Sequence, residues 1–224
     1  MAALDARLQR WLSDDQGSLR TGRFALVLAV IYLIFSVTYI SINLFSVGRR
    51  AYILYLPGEA RLPFLPIFEY LYVLTFLVPV LLIVTVRTYA RFCRLVRALG
   101  IALSVAYSTY LLFPVHFERP QLVVSSLHTW LLSLQYLDKP YNDLPSLHVT
   151  LSWLAVHASQ VSRGVRIALV LVAIGISIST LFVKQHYVAD VVFGYALAWG
   201  AWTLASVRRP RDTPARTVNA ERQA

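Results

Sequence analysis

The 224-residue sequence predicts an all-α integral membrane protein: a six-transmembrane-helix bundle with an interfacial helix in the third extracytoplasmic segment. Three observations predict it. Hydrophobic residues make up 58% of the chain and charged residues 14%, with a mean hydropathy of +0.60, too apolar for an ordinary soluble domain. Runs free of Lys, Arg, Asp and Glu recur at 24–48, 70–86, 98–117, 144–162, 167–183 and 191–207, each near the ~20 residues a helix needs to cross a hydrocarbon core of ~30 Å. The basic residues between these runs are sorted by side. With a cytoplasmic N-terminus, 15 of the 21 fall in cytoplasmic segments and six on the opposite face, the positive-inside pattern.

The elements follow in order. Residues 1–23 carry both signs of charge before a long apolar run, which reads as a cytoplasmic N-terminal segment and an uncleaved anchor, not a secretory signal. The six runs between 24 and 207 form one catalytic domain, with Trp and Tyr near several ends as interfacial anchors. Residues 120–137 also lack charge. Were they to cross, every later segment would flip and the basic bias would vanish. Ser126, Thr129 and Ser133 also give one face of such a helix a polar stripe, so it is expected to lie in or re-enter the interface. Residues 208–224 form a basic cytoplasmic tail of disordered composition. Cys93 stands alone and supports neither a disulfide nor a metal cluster. The net charge of +10 is explained by topology and contact with the bilayer, so no nucleic-acid partner is expected.

This topology gathers the unusual polar residues on the extracytoplasmic face of a cell-membrane protein. Arg119 follows the third span, Pro145 to His148 open the fourth, and Lys184 and His186 lie between the fifth and sixth. Asp190 sits one turn inside the sixth, where an ionisable group is costly and points to function. His186 and Asp190 are four apart and share a helix face. The carboxylate can therefore hold one imidazole nitrogen and leave the other as a nucleophile, as the acid does in a Ser-His-Asp arrangement. His148 is placed to protonate a departing oxygen and then activate an incoming one. Arg119 and Lys184 offer the charge a phosphate needs, and N–H groups near Ser146 at a helix start add an anion site.

"ERP" at 118–120, "PSLH" at 145–148 and "KQHYVAD" at 184–190 resemble the three signature motifs of the type-2 phosphatidic acid phosphatase superfamily. The resemblance covers roughly residues 65–205 and implies a metal-independent all-α membrane enzyme without cofactor, acting on a lipid phosphate through a phosphohistidine. His186 takes the nucleophile position, Asp190 that of its partner and His148 that of the acid/base; Arg119 and Ser146 match phosphate-binding positions. The sequence departs from the motifs at three places. Leu112 stands where the family has a lysine, Ser179-Thr180 where it has Ser-Arg, and Leu147 where its phosphatases have glycine. Lys184 is the expected replacement for a missing cation. "PSLH" with "KQHY" is more similar to the branch of inositolphosphorylceramide synthases and related phosphotransferases, which implies headgroup transfer between lipids over simple hydrolysis.

Other readings stand beside this one. The His186–Asp190 pair also fits a buried lock between helices, and two histidines with an aspartate fit zinc, against which the adjacent Arg and Lys argue. A non-catalytic lipid-binding or scaffolding protein would tolerate Leu112 and Thr180. A lipid flippase would need a polar path the spans lack. Tyr141 and Asn142 are candidate contacts for a substrate headgroup, with Glu118 and Asp143 beside them, although loop and cap roles explain all four equally well. Ser146 also suits a helix cap. His157, nine residues after His148, lies half a turn round and ~13 Å deeper, facing away. His116 and His128 belong to the interface.

Overall fold

The structure, a computed structural model, describes residues 2–206. It is helical: α1 (Ala2–Leu12), α2 (Thr21–Phe45), α3 (Glu69–Tyr72), α4 (Val78–Thr85), α5 (Tyr89–Leu112), α6 (Leu127–Gln135), α7 (Leu147–Ala158), α8 (Arg163–Phe182) and α9 (Val188–Leu204). Among the described residues, four segments are long and apolar enough to cross a membrane: Thr21–Phe45, Pro66–Thr85, Tyr89–Leu112 and Arg163–Phe182. Helices α7 and α9 are apolar but shorter, about 18 and 26 Å at 1.5 Å per residue. The basic tail from Arg208 lies outside the described residues.

Local chemistry sets the boundaries. Pro79 lacks an N–H and its ring crowds the carbonyl four residues back, which accounts for the 3₁₀ stretch Val73–Leu77 that joins α3 to α4. Pro114 disfavours helix at Phe113, where α5 stops. Thr88, Ser126 and Ser146 accept hydrogen bonds from N–H groups three residues on and so cap α5, α6 and α7. Residues 120–137 hold only the nine-residue α6, whose capping box uses Ser126 and Thr129.

The third apolar run begins earlier than its charge pattern suggests: α5 starts at Tyr89 and carries Arg91, Arg94 and Arg97 inside it. The first two of these arginines serve the neighbours' ends, whereas Arg97 donates back to the Cys93 carbonyl of its own helix. Arg91 donates to the Ala158 carbonyl (3.1 Å) and Arg94 to that of Trp202 (3.0 and 3.3 Å), while both guanidinium groups stack on the Trp202 ring. Two helix C-termini thus gain cationic donors.

The core surrounds α7, whose Val149, Leu154, Ala155 and Ala158 are buried against α4, α5, α8 and α9. Its closest neighbour is α9. A Cβ at Gly194 would lie 2.7 Å from the Ser146 carbonyl oxygen and 3.1 Å from Val149 Cβ, so this contact requires glycine. The Thr150 hydroxyl donates to the Gly194 carbonyl (3.0 Å) and the Ser146 N–H to that of Asp190 (3.1 Å). The N-terminal ends of α7 and α9 are thereby fixed together, with the arginines at the opposite end. By contrast, α2 stands at the edge, exposing Leu33, Ile34 and Val37.

Candidate active site

The α8–α9 turn carries His186. The Thr180 carbonyl accepts the N–H groups of Gln185 (3.0 Å) and His186 (3.3 Å), and Glu59, from the segment after α2, accepts the Val188 N–H at the start of α9. Asp190 Oδ2 accepts the Tyr187 N–H at 2.8 Å and faces His186 Nδ1 at 3.4 Å. His186 Nε2 in turn lies 3.2 Å from His148 Nδ1, and His148 Nε2 lies 2.8 Å from the hydroxyl of Tyr72. The result is a single row of hydrogen-bonding groups, Asp190–His186–His148–Tyr72, drawn from α9, the turn before it, α7 and α3. His186 is 5% exposed and Asp190 fully buried. Asp190 Oδ1 has no partner among the described residues.

One assignment of protons satisfies the whole row: Nδ1–H of His186 to Asp190, Nδ1–H of His148 to His186 Nε2, and the Tyr72 hydroxyl to His148 Nε2. His186 then presents its Nε2 lone pair towards His148, where an incoming electrophile would have to enter.

The other expected residues are distributed around this row. Arg119 does not touch the histidines directly. It donates to the Asp138 carboxylate (2.8 Å), the Asp138 carbonyl (2.9 Å) and Gln185 Oε1 (2.7 Å), beside His186, and packs over the Tyr136 ring. Its Nε is buried without a partner among the described residues. Burial pushes the Tyr136 phenol up to about 12, against the pull of Arg119. Ser146, fully buried, caps Val149 with its hydroxyl. Lys184 turns away: at φ 57° its ammonium donates to the Leu62 carbonyl (2.7 Å), and burial lowers its pKa despite Glu59. Asn142, also left-handed at φ 66°, is buried and donates to the Tyr39 carbonyl, while Tyr141 packs on His116. Asp143 is buried, and burial followed by the charge of Asp190 pushes its carboxyl well above the usual range. His157 stacks on Trp202 at the far end, away from the row as expected.

Where the motifs would have had cations, Leu112 is 83% exposed and Thr180 is buried in the turn that holds His186. Three participants were not foreseen. Asp138 and Gln185 hold Arg119, and Tyr72 holds His148; a glutamine between Lys184 and His186 was the one visible signal among them.

A cavity of about 280 Å³ opens beside the row. His148, Tyr72 and Asp138 form part of its wall, and the rest is mostly apolar, from α2, α4, α5 and α7. Along α2 its lining extends from Leu28 to Ile40, about 18 Å at 1.5 Å per residue.

A His–His–Asp row at one end of a bundle of apolar helices, with His186 and Asp190 buried and His148 half-buried at the cavity wall, defines a membrane-type protein with a candidate acid–base and nucleophilic site. The family model of the PAP2 superfamily matches residues 58–204, and the chain belongs to that superfamily. The matched span holds every residue of the row. Neither the curated proteins nor the solved structures yield a match.

Proposed function

We propose that the protein is a metal-independent lipid phosphatase or phosphotransferase that works through a phosphohistidine on His186. The observation that carries this is the row itself, which aims the free nitrogen of His186 at the acid/base candidate His148 while Asp190 holds the other nitrogen. The substrate's phosphate enters between the two rings, replacing their 3.2 Å contact, with Arg119 beside it and the lipid chain in the apolar cavity. In the six-span topology with cytoplasmic termini that the basic-residue pattern supports, this site lies at the extracytoplasmic interface, at the depth of a lipid phosphate.

In the first step the Nε2 lone pair forms the N–P bond as the P–O bond to the leaving lipid breaks. Asp190 stabilises the positive charge that develops on His186. His148, protonated once the anionic phosphate is bound, gives its Nδ1 proton to the leaving oxygen. In the second step neutral His148 takes a proton from an incoming hydroxyl, whose oxygen attacks phosphorus. The N–P bond breaks and its electron pair returns to His186 Nε2. Water as acceptor gives hydrolysis; a lipid hydroxyl gives headgroup transfer.

Transfer is the favoured outcome. "PSLH" with "KQHY" supports it, through the resemblance to inositolphosphorylceramide synthases, as does the burial of His186, which limits access of water. Arg119 is the principal phosphate-binding cation, with Ser146 helping through the helix start. Lys184 would have to leave the Leu62 carbonyl to join them, and Tyr141 and Asn142 border the acceptor's path. The test is a panel of labelled lipids with purified protein, following free phosphate and new lipid species together. Product that disappears in His186→Ala is expected. Turnover retained by that variant would remove the proposal.

A further inference from the structure

Tyr72 lies outside every motif that marks the site, on the short helix α3, where an apolar run gives no sign of chemistry. Its side chain is 2% exposed, its ring centroid lies 4.7 Å from that of His148, and its hydroxyl is 2.8 Å from His148 Nε2 and 3.4 Å from Nδ1. Among the described residues His148 is the only hydrogen-bond partner of that hydroxyl. Tyr72 and His148 also share the wall of the apolar cavity.

We propose that Tyr72 is the positioning residue for His148, holding Nε2 through both protonation states so that Nδ1 faces the phosphate throughout the cycle. This rests on His148 acting as acid and base. In such a cycle His148 alternates between imidazolium, which carries a proton on both nitrogens, and a neutral ring whose Nδ1 lone pair accepts a proton from the incoming hydroxyl. Both of those states have Nε2–H, whereas the resting row has a bare Nε2 facing Tyr72.

A carboxylate or carbonyl serves only the first arrangement, because it only accepts, and an ammonium serves only the second. A hydroxyl serves both by rotating its O–H bond: it donates to a bare Nε2 and accepts from Nε2–H. No proton needs to leave Tyr72. The ring is turned by rotation of the phenolic hydrogen alone, so the phenol acts through His148 and never reaches the phosphorus. The 3₁₀ stretch that Pro79 imposes just after Tyr72 fixes the direction in which α3 presents it.

Tyr72→Phe removes one oxygen and keeps the ring. General acid–base catalysis contributes roughly 10²- to 10⁴-fold, so a misdirected His148 is expected to lower kcat about 10- to 100-fold while KM stays within about twofold. The discriminating measurement is the cycle with His148→Ala. The double variant is expected to be no slower than His148→Ala alone, since Tyr72 has then nothing to position. A wild-type kcat in Tyr72→Phe, or losses that multiply in the double variant, would overturn the inference.

His186→Ala in the same assay separates the two claims. If it is inactive while Tyr72→Phe is fully active, only the role of Tyr72 fails; if it turns over normally, the phosphohistidine reading fails as well. Should Tyr72→Phe not fold, nitrogen NMR of histidine-labelled wild-type protein decides. A resting neutral His148 with its proton on Nδ1 is expected, and one with its proton on Nε2 would overturn the proposed row.

Discussion

Gly194→Ala adds one methyl group to the place where α9 crosses α7, between the helix that carries His148 and the helix that carries Asp190 and follows the His186 turn. The new Cβ would lie 2.7 Å from the Ser146 carbonyl oxygen and 3.1 Å from Val149 Cβ. Nonbonded heavy atoms prefer about 3.5–4.0 Å, so the helices must part by roughly 0.5–1 Å. Ser146 is backbone at a helix start and cannot rotate aside. Overpacking of this kind costs about 1–3 kcal/mol, while replacing a helical glycine by alanine returns up to ~1 kcal/mol. A net loss of about 1–2 kcal/mol is expected. The chemistry should suffer more. Parting by ~0.5 Å stretches the 3.2 Å contact between His148 and His186 beyond hydrogen-bond range, and with ~1 Å of misplacement costing about 100-fold, a loss near 10-fold follows. Gly200, on the same helix with nothing within 4 Å of its would-be Cβ, provides the control. Thermal unfolding and lipid turnover in detergent micelles should show Gly194→Ala less stable and slower, and Gly200→Ala unchanged or more stable. Equal behaviour of the two variants would refute the argument that this helix crossing sets the site.

Further perturbations test the site from other directions. Asp190→Asn keeps the shape and, because the Tyr187 N–H holds the amide oxygen at the Oδ2 position, still offers His186 Nδ1–H an acceptor but removes the charge that stabilises the imidazolium; turnover should fall by roughly 10²–10³-fold with the fold retained, and a loss under tenfold would show that the carboxylate does not act on His186. Arg119→Ala should weaken substrate binding far more than Lys184→Met, because Arg119 abuts Gln185 beside His186 whereas Lys184 is held by Leu62; the reverse order in KM would restore Lys184 as the main cation. Asp143 has its carboxyl raised by burial and by Asp190, so the folded state binds the proton more tightly than the unfolded chain. Its contribution therefore weakens as pH rises above the unfolded carboxyl's pKa of about 3.9. Asp143→Asn should flatten that decline in unfolding midpoint between acid and neutral pH, and parallel profiles for the two proteins would contradict the assignment.

His148, His186 and Asp190 were legible as ionisable residues at the ends of apolar runs, and the structure brings the three together. His186 and Asp190 do meet, but not as two positions on one helix face: His186 lies in the turn before α9, and Asp190, in the first turn of α9, reaches back past the Tyr187 N–H to its Nδ1. Lys184 misled for a local reason. Its closeness in sequence to His186 suggests a common direction, yet left-handed backbone at Lys184 turns its side chain to Leu62. The start of α5 was hidden by its arginines, which read as an end of the apolar run but satisfy the carbonyls of Ala158 and Trp202. Tyr72 and Gly194 matter through tertiary contacts alone. Nothing in an apolar run distinguishes the tyrosine that meets a histidine from those facing lipid, nor the glycine at a helix crossing from Gly200 six residues on.

The central claim is that His186 becomes the phosphorylated group. Purified protein mixed with a lipid substrate carrying labelled phosphate and quenched in alkali within the first turnover tests it directly. The account predicts label on the peptide containing His186, absent in His186→Ala and trapped longer in His148→Ala, where the second step lacks its base. Turnover with no labelled intermediate, or label on another residue, would contradict it.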